Sequence, residues 1–277
     1  VEADAGSAEA SLMTGDGQQN QRVDLVLLAI FLGQLAELLP GLDLSTHAPE
    51  SLTGAAVWAG KWKDIPALRG GKAPVVLFLH GSSGLGLKAI GEWQRWLATQ
   101  GIASVAPDSF ALPGRVTYTS PISKEQYERI HAMRLAEVAP ALKAITAQPW
   151  ADTSKLVLAG ASEGGVPVAR YAGNEFAARM IFAWSCEPNY FVAEPKNALP
   201  QDRPVLNLIS ASDPFFSSAN TWLGHAIAKG HCGDALKDNK YSTVTLIPGA
   251  PHTLLNVPQA RAVTAGFLRD ALKPEAR

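Results

Sequence analysis

From residue 55 onward, short and uninterrupted apolar runs alternate with stretches in which apolar positions recur at helical spacing. Residues 75–79 read Val75, Val76, Leu77, Phe78, Leu79, with none of the in–out alternation of a half-exposed strand. Strands buried on both faces read this way, as the central strands of a parallel sheet do. The same pattern over 102–106, 156–159, 180–184, 205–209 and 244–247 predicts further strands. Between them the spacing predicts helices over 92–100, ending at Gly101, and over 124–147, 163–178, 220–229 and 258–272. Pro140 lies inside the second of these and should kink or split it, because proline lacks the N–H that the helix ladder needs. Residues 55–62 add an antiparallel edge strand or two. Strands separated by helices of roughly 10–20 residues require right-handed crossovers. The pattern therefore predicts an α/β fold, a mainly parallel and doubly wound sheet with helices on both faces.

The first 54 residues read differently. Residues 1–21 are small and polar with no apolar period, and read as a tail. Residues 25–33 form an uninterrupted apolar run. Arg22 ahead of it has the look of a signal peptide, whereas Asp24 abuts the run. A membrane span needs ~20 apolar residues, and Glu37 interrupts before that length, so no stable span is expected. The favoured reading is a packed helix over 24–39, stopped by Pro40 and Gly41, with an unprocessed targeting segment as the alternative. The start at Val1 rather than Met fits processing. The expected division is 1–54, tail and helix, and 55–277, one α/β domain without an internal repeat or linker.

Composition narrows the classes. With 277 residues, 47% hydrophobic and 18% charged, the chain can bury a sizeable core and is not a disordered polymer. A net charge of -1 and the lack of any basic run exclude the usual nucleic-acid footprint. Two cysteines are too few for a disulfide scaffold, and no CxxC or HxxxH spacing points to zinc, so no metal chemistry is expected.

The strand over 156–159 runs straight into Gly160, Ala161, Ser162, Glu163, Gly164 and Gly165, with a helical pattern after it. G-x-S-x-G between a strand and a helix forces the serine into a strained turn, with neighbours that must lack bulk. A glycine-rich turn with a capping serine would look similar locally, but it leaves the partners unexplained. A serine nucleophile needs a base, and the base an orienting acid, in the chain order Ser, Asp or Glu, His. Asp213 follows the strand over 205–209 and His252 follows that over 244–247, which places both at neighbouring strand ends. Among competitors, His80 precedes a glycine and suits a structural role. His131 and His225 fall in predicted helices, and His47 and His231 in loops. Asp108 and Glu187 also follow strands, and Glu187 is the alternative acid. The turn His80, Gly81, Ser82, Ser83, Gly84 after strand 75–79 suits an oxyanion hole, with backbone N–H donors from Ser82 and Glu163. Only the N–H of Glu163 is needed, so its carboxylate should turn away toward an arginine.

Residues 109–120 and an irregular run over 185–203 are the candidate walls, the latter too short for a cap domain. Ser83, Tyr118, Trp184, Phe215 and Phe216 near the strand ends predict an open, aromatic and apolar substrate pocket, with Trp184 the first of them to expect in the core. Cys186 and Cys232 lie in loops that reach one face of the sheet. They are candidates for a disulfide, which would place the chain in an oxidising, periplasmic or secreted setting.

Over about 55–272 these features resemble the α/β-hydrolase superfamily, and the small lidless arrangement is similar to its dienelactone-hydrolase-like branch. The elbow at 160–165, the HG turn at 80–84, Pro107-Asp108-Ser109-Phe110 and Gly249-x-x-His252 carry the likeness. Dienelactone hydrolases proper have a cysteine nucleophile where this chain has Ser162. The resemblance therefore implies a general serine esterase without cofactor, acting on small-molecule or polymeric esters through an acyl-enzyme. The alternatives are acyl transfer to another acceptor, or amide or peptide hydrolysis on the same triad. A binding protein on a hydrolase scaffold is a further alternative, although such proteins usually lose a triad member. Residues 1–54 match no part of the family pattern.

Overall fold

Strand β1 (Leu44–Ala48) opens an eight-stranded sheet of order β2-β1-β4-β3-β5-β6-β7-β8 in the computed structural model, which describes residues 43–54, 56–68, 70–218 and 228–273. The other strands are β2 (Trp58–Lys61), β3 (Ala73–Leu79), β4 (Ala103–Pro107), β5 (Ala151–Ala161), β6 (Ala178–Phe182), β7 (Val205–Ser210) and β8 (Ser242–Ile247). From β4 to β8 all pairings are parallel, while β1 runs antiparallel to β2 and β4. Central β3 shows why its sequence carries no alternation. Val75, Leu77 and Leu79 enter one core and Val76 and Phe78 the other, each at most 1% exposed. At roughly 1.5–3 kcal/mol per fully buried side chain, such a strand can be stable only between two helical layers.

Those layers are present. Helices α2 (Lys88–Thr99) and α6 (Pro258–Ala271) cover one face, where Trp93 packs on Phe78 with ring centroids 5.0 Å apart. Helices α3 (Lys124–Ala136), α4 (Val138–Thr146) and α5 (Gly165–Arg170) cover the other, through Tyr127, Leu142 and Val166. The one-turn helix α1 (Glu50–Thr53) follows β1. The predicted helix over 124–147 is split at Glu137, which puts Pro140 in the first turn of α4, where a missing N–H costs no hydrogen bond.

Three expectations are corrected. The helix expected over 163–178 is only α5, preceded by a 3-10 turn (Ser162–Gly164). Buried Arg179 explains the early stop: its guanidinium donates to the carbonyls of Val168, Tyr171 and Gly173, which satisfies them outside a helix. The strand expected over 180–184 ends at Phe182, because Ala183 turns the chain at φ +49°. Asn207 holds that turn, its amide donating to the carbonyls of Ile181 (3.2 Å) and Trp184 (3.0 Å). Finally, β1 lies inside the stretch left outside the domain and is integral to the sheet, and His47, expected in a loop, sits on it. Its Leu-Ser-Thr-His-Ala sequence has no apolar run, yet Thr46 and His47 are buried. The edge strand expected within 55–62 is β2.

The helix expected over 24–39 lies outside the described residues, as do His225 and most of the helix expected over 220–229. Among the described residues no helix is long and apolar enough to cross a membrane, and no separate cap domain is present. A disulfide joins Cys186, in the loop after β6, to Cys232, in the loop before β8. The register aligns the strand ends that matter, with Leu79 beside Gly160, Ala161 beside Phe182, and Ser210 beside Ile247. Whatever follows these strands therefore meets along one rim.

Candidate active site

At that rim β5 turns sharply into α5 through Ser162, held at φ +54°. The left-handed region costs an L-residue roughly 1–2 kcal/mol, so the surroundings must enforce it. A Cβ on Gly160 would overlap the Gly164 carbonyl, and one on Gly164 would overlap the Leu79 carbonyl and lie 2.6 Å from that of His80. Both glycines are thus required by close backbone approach, and the elbow is pressed against the turn that follows β3.

Asp213 stands in the turn after β7. It is fully buried, and its Oδ1 accepts from the backbone N–H groups of Phe215 (2.9 Å) and Phe216 (3.0 Å). Its Oδ2 lies 2.7 Å from Nδ1 of His252, after β8. The Ser210 hydroxyl donates to the Ala250 carbonyl at 2.6 Å, which draws the two turns together. Phe215 packs edge-on against the His252 imidazole at 4.7 Å. His252 is one-fifth exposed, and with Ser162 it lines one cleft, together with Gly81, Ser82, Ser83, Leu87, Ile90 and Phe182 among others. The cleft holds about 60 Å³ of free space.

Behind the elbow lies a charged cluster that sequence reasoning found only in part. The Glu163 carboxylate turns to Arg115, as expected, at 2.7 and 3.0 Å, and accepts from the Tyr118 hydroxyl at 2.7 Å. This ion pair has no exposed side-chain surface. Burial and the Glu163 charge push the Tyr118 phenol above its usual range. From α3, Arg134 donates to the carbonyl (2.9 Å) and the Nε2 (3.0 Å) of His80. The Ser109 N–H also donates to that nitrogen at 3.0 Å, so the imidazole is neutral and its proton is on Nδ1, 2.6 Å from the Gly81 carbonyl. Burial, then Arg134, push His80 down to about 2, and it cannot serve as the base of a reaction near neutrality. Glu137 is pushed up to about 7 by burial, with Arg134 Nη1 3.4 Å away.

The remaining expected residues fall as follows. Ser82 and Ser83 line the cleft. Tyr118 and Trp184 do not; the first is bound to Glu163, and the second is 1% exposed beneath Gly165. Phe215 and Phe216 flank His252 rather than the cleft wall, and the lining is largely aliphatic rather than aromatic. Glu187, the alternative acid, instead accepts from the N–H groups of Lys229 (2.8 Å) and Gly230 (2.9 Å). Residues 109–120 form a wall behind the HG turn, where Phe110 packs against Gly84. Arg134 and Glu137 carried no signal, since buried and exposed charges in a helix look alike in sequence. Among the described residues no cluster of side chains suits a metal ion.

No family model matches the sequence, and a search of curated proteins finds no match. Solved structures do match. A dienelactone hydrolase-like promiscuous phosphotriesterase, P91, from metagenomic libraries is 20% identical with a TM-score of 0.54, over 83% of this chain and 99% of that one. A cold-adapted esterase from an Arctic intertidal metagenomic library is 18% identical with a TM-score of 0.55, over 84% and 98%. Esterase PE8 is 17% identical with a TM-score of 0.52, over 75% and 97%. The strand order, the strained serine between β5 and α5 and these likenesses together identify the fold as that of the α/β-hydrolases.

Proposed function

We propose that the protein is a serine esterase. Ser162 is the nucleophile, His252 the general base, Asp213 the residue that orients it, and the N–H groups of Ser82 and Glu163 the oxyanion donors. The observation that carries this reading is the convergence of a serine at φ +54° and an Asp213-bound His252 on one cleft. Ser162 Oγ adds to the ester carbonyl while its proton passes to His252 Nε2, and the carbonyl oxygen becomes an oxyanion. The C–O bond to the leaving alcohol then breaks, and the imidazolium returns the proton to that oxygen, which leaves an acyl-Ser162. Water repeats the sequence: its proton goes to His252, its oxygen to the acyl carbon, and the acid departs as Ser162 regains a proton. The Asp213 carboxylate holds Nδ1 protonated, which leaves Nε2 free to accept.

Leu87, Ile90, Phe182, Leu254 and Leu255 around the cleft support an uncharged acyl group, and its small volume supports a short one. The esterases of the same fold support the same substrate class. The test is covalent labelling. A fluorophosphonate should add once, at Ser162, and Ser162→Ala should abolish turnover of aryl acetates. Full activity in that variant would overturn the assignment.

A further inference from the structure

We propose that Arg134 is a positioning residue that fixes the separation of the two oxyanion donors; this rests on the serine-esterase reading above. The donors come from different segments, Ser82 in the turn after β3 and Glu163 at the start of the elbow. The strand ladder ends at Leu79 and Gly160. Beyond it the two segments meet through the close approach of Gly164 to the Leu79 and His80 carbonyls, which leaves the side-chain ends of the turn and the elbow to be held from outside. Arg134 reaches both segments from a third element, α3, and its side chain is fully buried. On one side Nη2 donates to the His80 carbonyl at 2.9 Å and Nη1 to the His80 ring at 3.0 Å. This pins the first peptide of the turn, and the Ser82 N–H lies one peptide further on. On the other side Nε stands 3.7 Å from Glu163 Oε1. That carboxylate belongs to the residue whose own N–H is the second donor, and Arg115 and Tyr118 hold it from behind.

A guanidinium suits this task because it is planar and always charged: its Nη atoms donate to His80 as a fixed fork, while Nε faces the Glu163 carboxylate as an ion-pair contact without a hydrogen bond. An ammonium would keep the charge and lose the fork. The cost of misplacing such donors is steep, since removing one outright typically lowers kcat by about 10²–10³-fold. The arrangement also gives a reason for a glutamate beside the nucleophile: its side chain is the handle by which its own N–H is held.

The experiment uses Arg134→Lys and Glu163→Gln, with rates expressed per active site counted by fluorophosphonate. The inference expects kcat on a soluble aryl ester to fall about 10–100-fold in each, with KM within about threefold. Affinity for an alkyl trifluoromethyl ketone, whose adduct with Ser162 places an oxyanion in the same hole, should fall in parallel. The double variant should lose less than the product of the single losses, since both act on one geometry. A purely structural residue would lower the unfolding temperature and leave kcat per labelled site unchanged, and that result overturns the proposal. If Arg134→Lys does not fold, Glu163→Gln carries the test alone, and its retention of kcat and of ketone affinity is equally decisive. If wild-type turnover persists in Ser162→Ala, the esterase reading itself fails and this inference with it. If turnover depends on Ser162 while both variants keep kcat, only the inference fails.

Discussion

His131 is a buried base with one contented nitrogen. Its Nε2 donates to the Phe191 carbonyl at 3.3 Å, and its Nδ1 has no partner. The ring lies against Tyr127 and Phe191, with Glu128, Arg134 and Arg170 among the charges around it. Burial, then Arg170, push it down from 6.5 to about 4. The unfolded chain therefore takes up a proton on this ring between about pH 6.5 and 4 that the folded chain refuses. Stability contributed by the neutral ring is complete above pH 6.5 and is lost as pH falls through 4. At about 1.4 kcal/mol per unit the loss is roughly 3 kcal/mol. In His131→Gln, the slope of unfolding free energy against pH over that window should fall by about one proton, measured by urea titrations at several pH values. An unchanged slope would mean that the folded protein accepts the proton. Residues of this kind are the ones that the sequence hides. The meeting of Ser162, Asp213 and His252 on one rim is legible because each follows a strand, and the strand ends converge by topology. Arg134, Glu137 and His131 sit in helices, where only the packing reveals which charged positions face inward.

Among elements, those with one uniform environment were legible and those shaped by a distant side chain were not. The double-faced strands declared themselves through unbroken apolar runs. Helix α5 did not, because its end is set by Arg179 on the next strand. β1 did not either: it is held by antiparallel pairing to β2 and β4, and the polar Thr46 and His47 occupy buried positions where an apolar run would have marked a strand. The loops between strands depend on covalent and polar ties. Cys186 and Cys232 close a span of 46 residues, and beside them Asn207 Oδ1 accepts from the Cys232 N–H at 2.9 Å. Closing a loop of that size is worth about 4 kcal/mol in a chain-entropy account. Replacing both cysteines by serine should lower the melting temperature by roughly 10 °C in a calorimetric scan. A drop of less than about 2 °C would assign the loop's order to Asn207 instead.

At the scale of the molecule, the fold brings the cleft to the surface without a cap domain among the described residues, and the cleft is small and aliphatic. Soluble aryl esters of two to four acyl carbons should therefore be turned over faster than long-chain emulsions. Rate against substrate concentration should pass the solubility limit smoothly. A sharp rise on micelle formation, followed in a pH-stat assay, would instead reveal a surface-activated cover.

The loop after β4 is fastened by a charge pair with no exposed side-chain surface, Arg115 on Glu163, and by the Tyr118 hydroxyl on the same carboxylate. A segment anchored in this way cannot double as a gate, since swinging it out would strand a carboxylate in a dry interior. On this side, then, the loop behind the proposed oxyanion donors is already in place before any substrate arrives. Whatever affinity the acyl and alcohol groups supply is left for deforming the reacting carbonyl, with none consumed in ordering that loop.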